Sequence, residues 1–379
     1  MEQKTLGLYI HIPFCKKKCS YCDFPSWPGL EDYWEAYTGS VVDELVMKAP
    51  EFSHAAIKTI FIGGGTPSLL PYQYIVRILD TVFAHYKILP DCESTIESNP
   101  GTLDENKLSA YRALGINRLS IGLQACQNRL LNKLGRIHTF SDFENALDLA
   151  KKHGFSNINA DIIFGIPDQT FEDWQETVNK VLHFDLTHIS CYSLIIEEGT
   201  VFGRLKEEGL LHEMDEELDR RMYHYAVELF SRAGFAQYEI SNFAKPDYQC
   251  RHNMNYWERG EYIGIGAGAH SFYSNRRYAN SSDVLSYMKG ICEGRPRLSE
   301  DSSLSAEESL SEKMILGLRL NKGVDLAQVS GEFGLDVGKR YQKNIEFLLS
   351  RKLVERSGDV ISLTKLGLDL ANTVFVQFI

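Results

Sequence analysis

Cys15, Cys19 and Cys22 stand close together in the stretch His11-Ile-Pro-Phe-Cys15-Lys-Lys-Lys-Cys19-Ser-Tyr-Cys22-Asp-Phe24. Three thiolates in one short loop match three irons of a cubane iron–sulfur cluster and leave the fourth iron open to a small molecule. Two plainer readings compete. Positions i, i+4 and i+7 share one helix face and could simply be core cysteines, but Pro13 and the run Lys16-Lys17-Lys18 mark an exposed loop. Zinc could take the same three thiolates with His11 as a fourth ligand, although the second ligand pair is less regular than a zinc knuckle. The 4Fe-4S cluster is the reading adopted.

Further along, Gly63-Gly64-Gly65-Thr66-Pro67 follows the apolar run Lys58–Ile62. Glycines there let backbone N–H and C=O groups approach a ligand, and the missing Gly-Lys-Ser/Thr ending excludes a Walker phosphate loop. Taken together, the Cys-x3-Cys-x2-Cys spacing, Tyr9-x-His11-Ile-Pro-Phe14 and Tyr21 resemble the radical S-adenosylmethionine (SAM) enzymes. Within them the chain is most similar to the oxygen-independent coproporphyrinogen III oxidase-like family and its HemW group of haem chaperones. That resemblance implies SAM beside the cluster, with Gly64, Gly65 and Thr66 at its methionyl end. It also implies SAM contacts from Tyr9, Tyr21, Glu97, Gln124, Arg136 and Asp161.

The stretch Arg251-His252-Asn253-Met254-Asn255-Tyr256-Trp257 contains His-Asn-x-x-Tyr-Trp, which resembles the signature of the haem-chaperone group. The resemblance implies haem as a third cofactor, with His252 as axial ligand and Cys250 as its rival. Arg276, Arg277, Arg295 and Arg297 are candidates to hold the haem propionates. Two functions compete: a chaperone passing haem to an apo-haemoprotein, and a coproporphyrinogen III dehydrogenase of porphyrin biosynthesis. Family oxidases carry a fourth cysteine two residues after the third, where this chain has Phe24, and an N-terminal extension before the cysteine loop. Both differences favour the chaperone.

The elements that must position these residues alternate. Apolar, β-rich runs at 6–12, 57–62, 93–97, 117–122, 158–164 and 188–194 are separated by helical stretches near 32–49, 71–86, 104–114, 142–153 and 170–184. Strand–helix alternation predicts an α/β fold, a partial (β/α)6 barrel with its chemistry at the C-terminal strand ends. Residues 1–215 form that barrel; 216–300 are an aromatic, glycine-rich connection; 301–379 read as an α+β winged-helix-like domain ending near a hairpin at 353–364.

The chain has 379 residues, and its 44% hydrophobic content is enough for a large core and a smaller one. A net charge of −11 argues against nucleic acid, as do ten Lys and Arg against eleven Asp and Glu in the last domain. The lysine run could dock an acidic flavodoxin- or ferredoxin-like reductant. Eight cysteines, three of them clustered, and no apolar run long enough to span a bilayer predict a cytoplasmic protein, in contact at most with a peripheral face of a membrane protein.

Overall fold

The computed structural model describes residues 3–379. Six strand–helix units come first. Strand β1 (Thr5–Ile12) leads through the cysteine loop to α1 (Trp34–Lys48), β2 (Ala56–Gly64) to α2 (Tyr72–His85), and β3 (Lys87–Ser98) to α3 (Glu105–Ala113). Then β4 (Arg118–Gln124) leads to α4 (Asn128–Lys133) and α5 (Phe140–Lys152), β5 (Asn157–Phe164) to α6 (Phe171–Leu182), and β6 (His188–Ser193) to α7 (Val201–Glu207) and α8 (Glu216–Arg232). These six strands pair in parallel in chain order. Side chains alternate across them. On β1, Leu6, Leu8, Ile10 and Ile12 are fully buried in the main core, while Gly7 faces Thr59, His252 and Asn255 inside the barrel. Capping boxes at Thr139 and Thr170 satisfy the first N–H groups of α5 and α6.

Residues 216–300 extend this sheet at both edges. They supply β7 (Ala236–Glu239), β8 (Asn242–Ala244), α9 (Arg251–Trp257), β9 (Tyr262–Ile265), β10 (His270–Tyr273), β11 (Arg276–Asn280), α10 (Val284–Cys292) and β12 (Leu298–Ser303). Strand β8 lies antiparallel on β6, and β9 lies parallel to β1. The result is one open sheet of 12 strands ending at β12 and β7, with a partial (β/α)6 barrel at its centre.

The C-terminal segment has its own core, around Leu310, Met314, Ile345, Leu348 and Phe378. It comprises α11 (Ala306–Leu318), β13 (Val324–Asp325), α12 (Leu326–Phe333), α13 (Val337–Arg340), α14 (Gln342–Ser350), the hairpin β14 (Val354–Ser357) and β15 (Val360–Leu363), then α15 (Lys365–Asp369) and α16 (Ala371–Phe375). The small sheet runs β13-β15-β14, with Gly358 taking a positive φ in the hairpin turn. Among the described residues no helix is long and apolar enough to cross a membrane.

Candidate functional site

The cysteine loop is fixed by backbone on two sides. Cys15 N–H donates to Trp27 O at 3.2 Å and Trp27 N–H to Pro13 O at 2.8 Å, which closes the loop at its base. Gly65 N–H donates to Ile12 O and Thr66 N–H to Phe14 O, both at 2.8 Å, which ties it to the end of β2. Phe14 is buried edge-on against Tyr37, with ring centres 5.1 Å apart. These anchors present Cys15, Cys19 and Cys22 to a cleft of about 150 Å3 at the C-terminal ends of the strands.

Tyr21, Gly64, Gly65, Thr66, Glu97, Gln124, Arg136 and Asp161 line the same cleft. Glu97 accepts from Gly64 N–H at 3.0 Å, and burial, reinforced by the Asp161 carboxylate, pushes its pKa up to about 7. Gln124 ends β4 with φ +71°, uncommon for a residue with a side chain, where the register with β5 shifts. Arg136 donates to Cys19 Sγ at 3.6 Å, to Gly122 O at 2.8 Å and to the Asn99 side chain. Burial raises the Cys15 and Cys22 thiols above their ordinary range, so holding both as thiolates requires a positive partner such as cluster iron. A three-sulfur donor set with an adjacent guanidinium suits an iron–sulfur cluster. It does not suit zinc completed by His11, because His11 Nε2 donates to Pro25 O at 2.8 Å and its Nδ1 meets Tyr9 OH at 2.9 Å.

Asn99 and Ser120, which line the cleft, and Asn159 behind it were not singled out from the sequence. Asn99 bridges Arg136 and Thr66 Oγ1, the latter at 2.8 Å. Ser120 and Asn159 donate to the two Asp161 oxygens at 3.0 and 2.8 Å, and Ser120 itself lines the cleft with Ser98. Their signal was position alone: Asn99 follows Glu97 by two residues, and Ser120 precedes Gln124 by four. A Cβ on Gly65 would stand 2.5 Å from Phe14 O, so this glycine admits the cysteine loop; one on Gly64 would stand 2.5 Å from the His11 ring, and one on Gly63 2.9 Å from Glu97 Oε2.

Tyr9, His252 and Cys250 lie outside the cleft, inside the barrel. Tyr9 OH is held by His11, and its ring centre is 6.5 Å from that of His252. His252 is only 1% exposed, with Nδ1 2.8 Å from Thr59 Oγ1 and Nε2 2.8 Å from Tyr256 OH. It therefore offers no free nitrogen to an iron, contrary to the expected axial-ligand role. Burial, with Arg118 and Lys58 nearby, lowers its pKa to about 3 and keeps the ring neutral. Cys250 is fully buried with its Sγ 3.7 Å from Glu93 Oε1, and burial pushes the thiol up to about 12, so it is no ready thiolate either. Three of the four propionate candidates are likewise engaged. Arg276 clasps Asp301 at 2.7 and 2.8 Å, Arg277 clasps Glu312 at 2.9 and 3.0 Å, and Arg297 reaches Glu293 at 3.4 Å.

Comparison with known proteins matches residues 9–181 to the Radical SAM superfamily and residues 304–370 to the HemN C-terminal domain. The chain is 36% identical to the heme chaperone HemW of Lactococcus lactis subsp. lactis (strain IL1403), covering 100% of this chain and 98% of that protein. It is 35% identical to the heme chaperone HemW of Bacillus subtilis (strain 168), covering 98% of each. The solved structure of coproporphyrinogen III oxidase (HemN) from Escherichia coli superposes with a TM-score of 0.88 over 99% of this chain and 90% of that one; at 22% identity this likeness concerns the fold.

Proposed function

This chain belongs to the HemW family within the radical SAM superfamily, and from that premise we propose that it is a haem chaperone, binding haem and handing it to an apo-haemoprotein. The observation that carries the reading is likeness to proteins named heme chaperones over essentially the whole of both chains, in a chain that retains the entire cysteine cleft. The exposed Phe24 at the cleft mouth, in the place of the oxidases' fourth cysteine, supports the same side.

In this reading Cys15, Cys19 and Cys22 hold a 4Fe-4S cluster, whose open iron supplies electron transfer to SAM when both are bound. The chain's own residues orient the cofactors. Arg136 donates to the Cys19 sulfur and braces Asn99. Asp161, fixed by Ser120 and Asn159, presents acceptor oxygens to the adenosyl half of SAM. Glu97 offers its carboxylate to the cationic methionyl end, beside Gly64, Gly65 and Thr66. Lys16, Lys17 and Lys18 are exposed on the loop and suit an acidic reductant in the cytoplasm.

The test is transfer. Protein reconstituted anaerobically with cluster and loaded with haem is mixed with an apo-haemoprotein, and the recipient's absorption and activity are followed. Recovery of recipient activity supports the chaperone. Retention of haem, together with decarboxylation of coproporphyrinogen III in the presence of SAM and reductant, would replace it with the dehydrogenase.

A further inference from the structure

A second cleft, of about 660 Å3, opens between the barrel and the C-terminal domain. Several buried polar side-chain atoms without a hydrogen-bond partner converge on it: Glu239 Oε2, Asn242 Oδ1, Trp257 Nε1, Arg319 Nε and Asp369 Oδ1. Glu239 is 0% and Asn242 3% exposed. Arg319 pairs loosely with Glu239 at 3.8 Å and Arg220 with Asp369 at 3.6 Å, while His224 Nε2 reaches the other Asp369 oxygen at 2.9 Å.

The walls also have a shape. The Arg319 guanidinium stacks 4.2 Å from the Trp257 ring centre, making a flat cationic platform. Facing the same space is Tyr192 at the end of β6, 38% exposed although its strand lies within the sheet. Helix α9 divides the two environments. His252 and Tyr256, one turn apart, bond to each other on the barrel side, whereas Asn253 and Trp257, also one turn apart, line the interdomain cleft.

Resting on the haem reading above, we propose that this interdomain cleft is the tetrapyrrole site: Trp257 and Tyr192 flank the flat ring, Arg319 pairs with a propionate, and His252 faces away from it. The ligand chemistry follows from the walls. A flat apolar ring suits the aromatic faces, and an edge carboxylate suits an arginine fork whose Nε lacks a partner.

The test is anaerobic titration of cluster-loaded protein with haemin, followed by Soret absorbance. Arg319→Leu should weaken binding by more than about tenfold, as expected for loss of a charge-assisted pair, and Arg319→Lys should recover part of it. Thr373→Trp places bulk into the cleft from an exposed position on its C-terminal wall, and should weaken binding without disturbing the fold. Cluster iron and SAM affinity, measured on every variant, report that the barrel is intact. Wild-type affinity in both Arg319→Leu and Thr373→Trp would overturn the site while leaving the chaperone reading in place. The same would follow if His252→Ala alone abolished the Soret band. A wild-type protein that takes up no haem would overturn the reading and the site together.

Discussion

Replacing Glu97 by Gln should stabilise the SAM-free protein increasingly as pH rises, because the carboxylate sits where its charge is poorly solvated. Its pKa is displaced from 4.5 to about 7, with burial the main cause and the Asp161 charge second; the Gly64 N–H, at 3.0 Å, offsets only part of this. In the unfolded chain the group ionises near its ordinary value, whereas the folded protein keeps the proton until near neutrality. Stability from this group is therefore full below the unfolded pKa, falls as pH rises between the two values, and stays lower above about 7. At about 1.4 kcal/mol per pKa unit the loss is at most about 3.5 kcal/mol, and water in the cleft reduces it toward about 1–2 kcal/mol. Glu97→Gln has no proton to lose. Anaerobic denaturation of both proteins at pH 5 and pH 8 should show the variant gaining on wild type by that amount at the higher pH. SAM, a cation at this end, should favour the ionised form, so its binding to wild type near pH 7 should release a fraction of a proton, measurable by calorimetry in buffers of different ionisation enthalpy. An identical stability difference at both pH values, with no proton release, would refute the reasoning.

Gly65→Ala should lower cluster content and SAM affinity together, because the new methyl meets the Phe14 carbonyl at 2.5 Å and displaces the cysteine loop; overpacking of this kind costs about 1–3 kcal/mol, checked by iron analysis and a SAM titration. Arg136→Ala should leave a cluster that still forms but weaken SAM binding by about tenfold or more, since Asn99 and Thr66 lose their brace. His252→Ala removes partners from Thr59 and Tyr256 and leaves a cavity beside Phe61, so the melting temperature should fall by several degrees, corresponding to about 2 kcal/mol, with cluster iron unchanged.

Much of the barrel is legible because its central strands bury one face continuously. The runs at 57–62, 117–122 and 158–164 coincide with β2, β4 and β5 to within one or two residues at each end. The run at 93–97 captures only the second half of β3, because Pro90 and Asp91 interrupt a strand whose start pairs Lys87 with Ala56. Strands β7 to β12 span only three to six residues each, too short for a clear alternation, so neither length nor periodicity reveals them. The cleft residues were legible as types at strand ends, and the structure gathers most of them into one cavity. Which hydroxyl or amide fixes Asp161 was not legible, since Ser120 reaches it from the neighbouring strand β4 while Asn159 turns to it from two residues earlier on β5. Nor could one sequence show that Gly65 makes room for the Phe14 carbonyl, or that His252 and Trp257 turn to opposite sides of α9.

The central claim is that three cysteines present one open iron to SAM in the cleft that Glu97, Arg136 and Asp161 line. Electron paramagnetic resonance of the reduced, anaerobically reconstituted protein, with and without SAM, tests it most directly. One 4Fe-4S signal that shifts when SAM is added, and that disappears in Cys15→Ala, Cys19→Ala and Cys22→Ala, is the predicted result. A signal indifferent to SAM, or a full complement of iron and sulfide in any of the three cysteine variants, would contradict it.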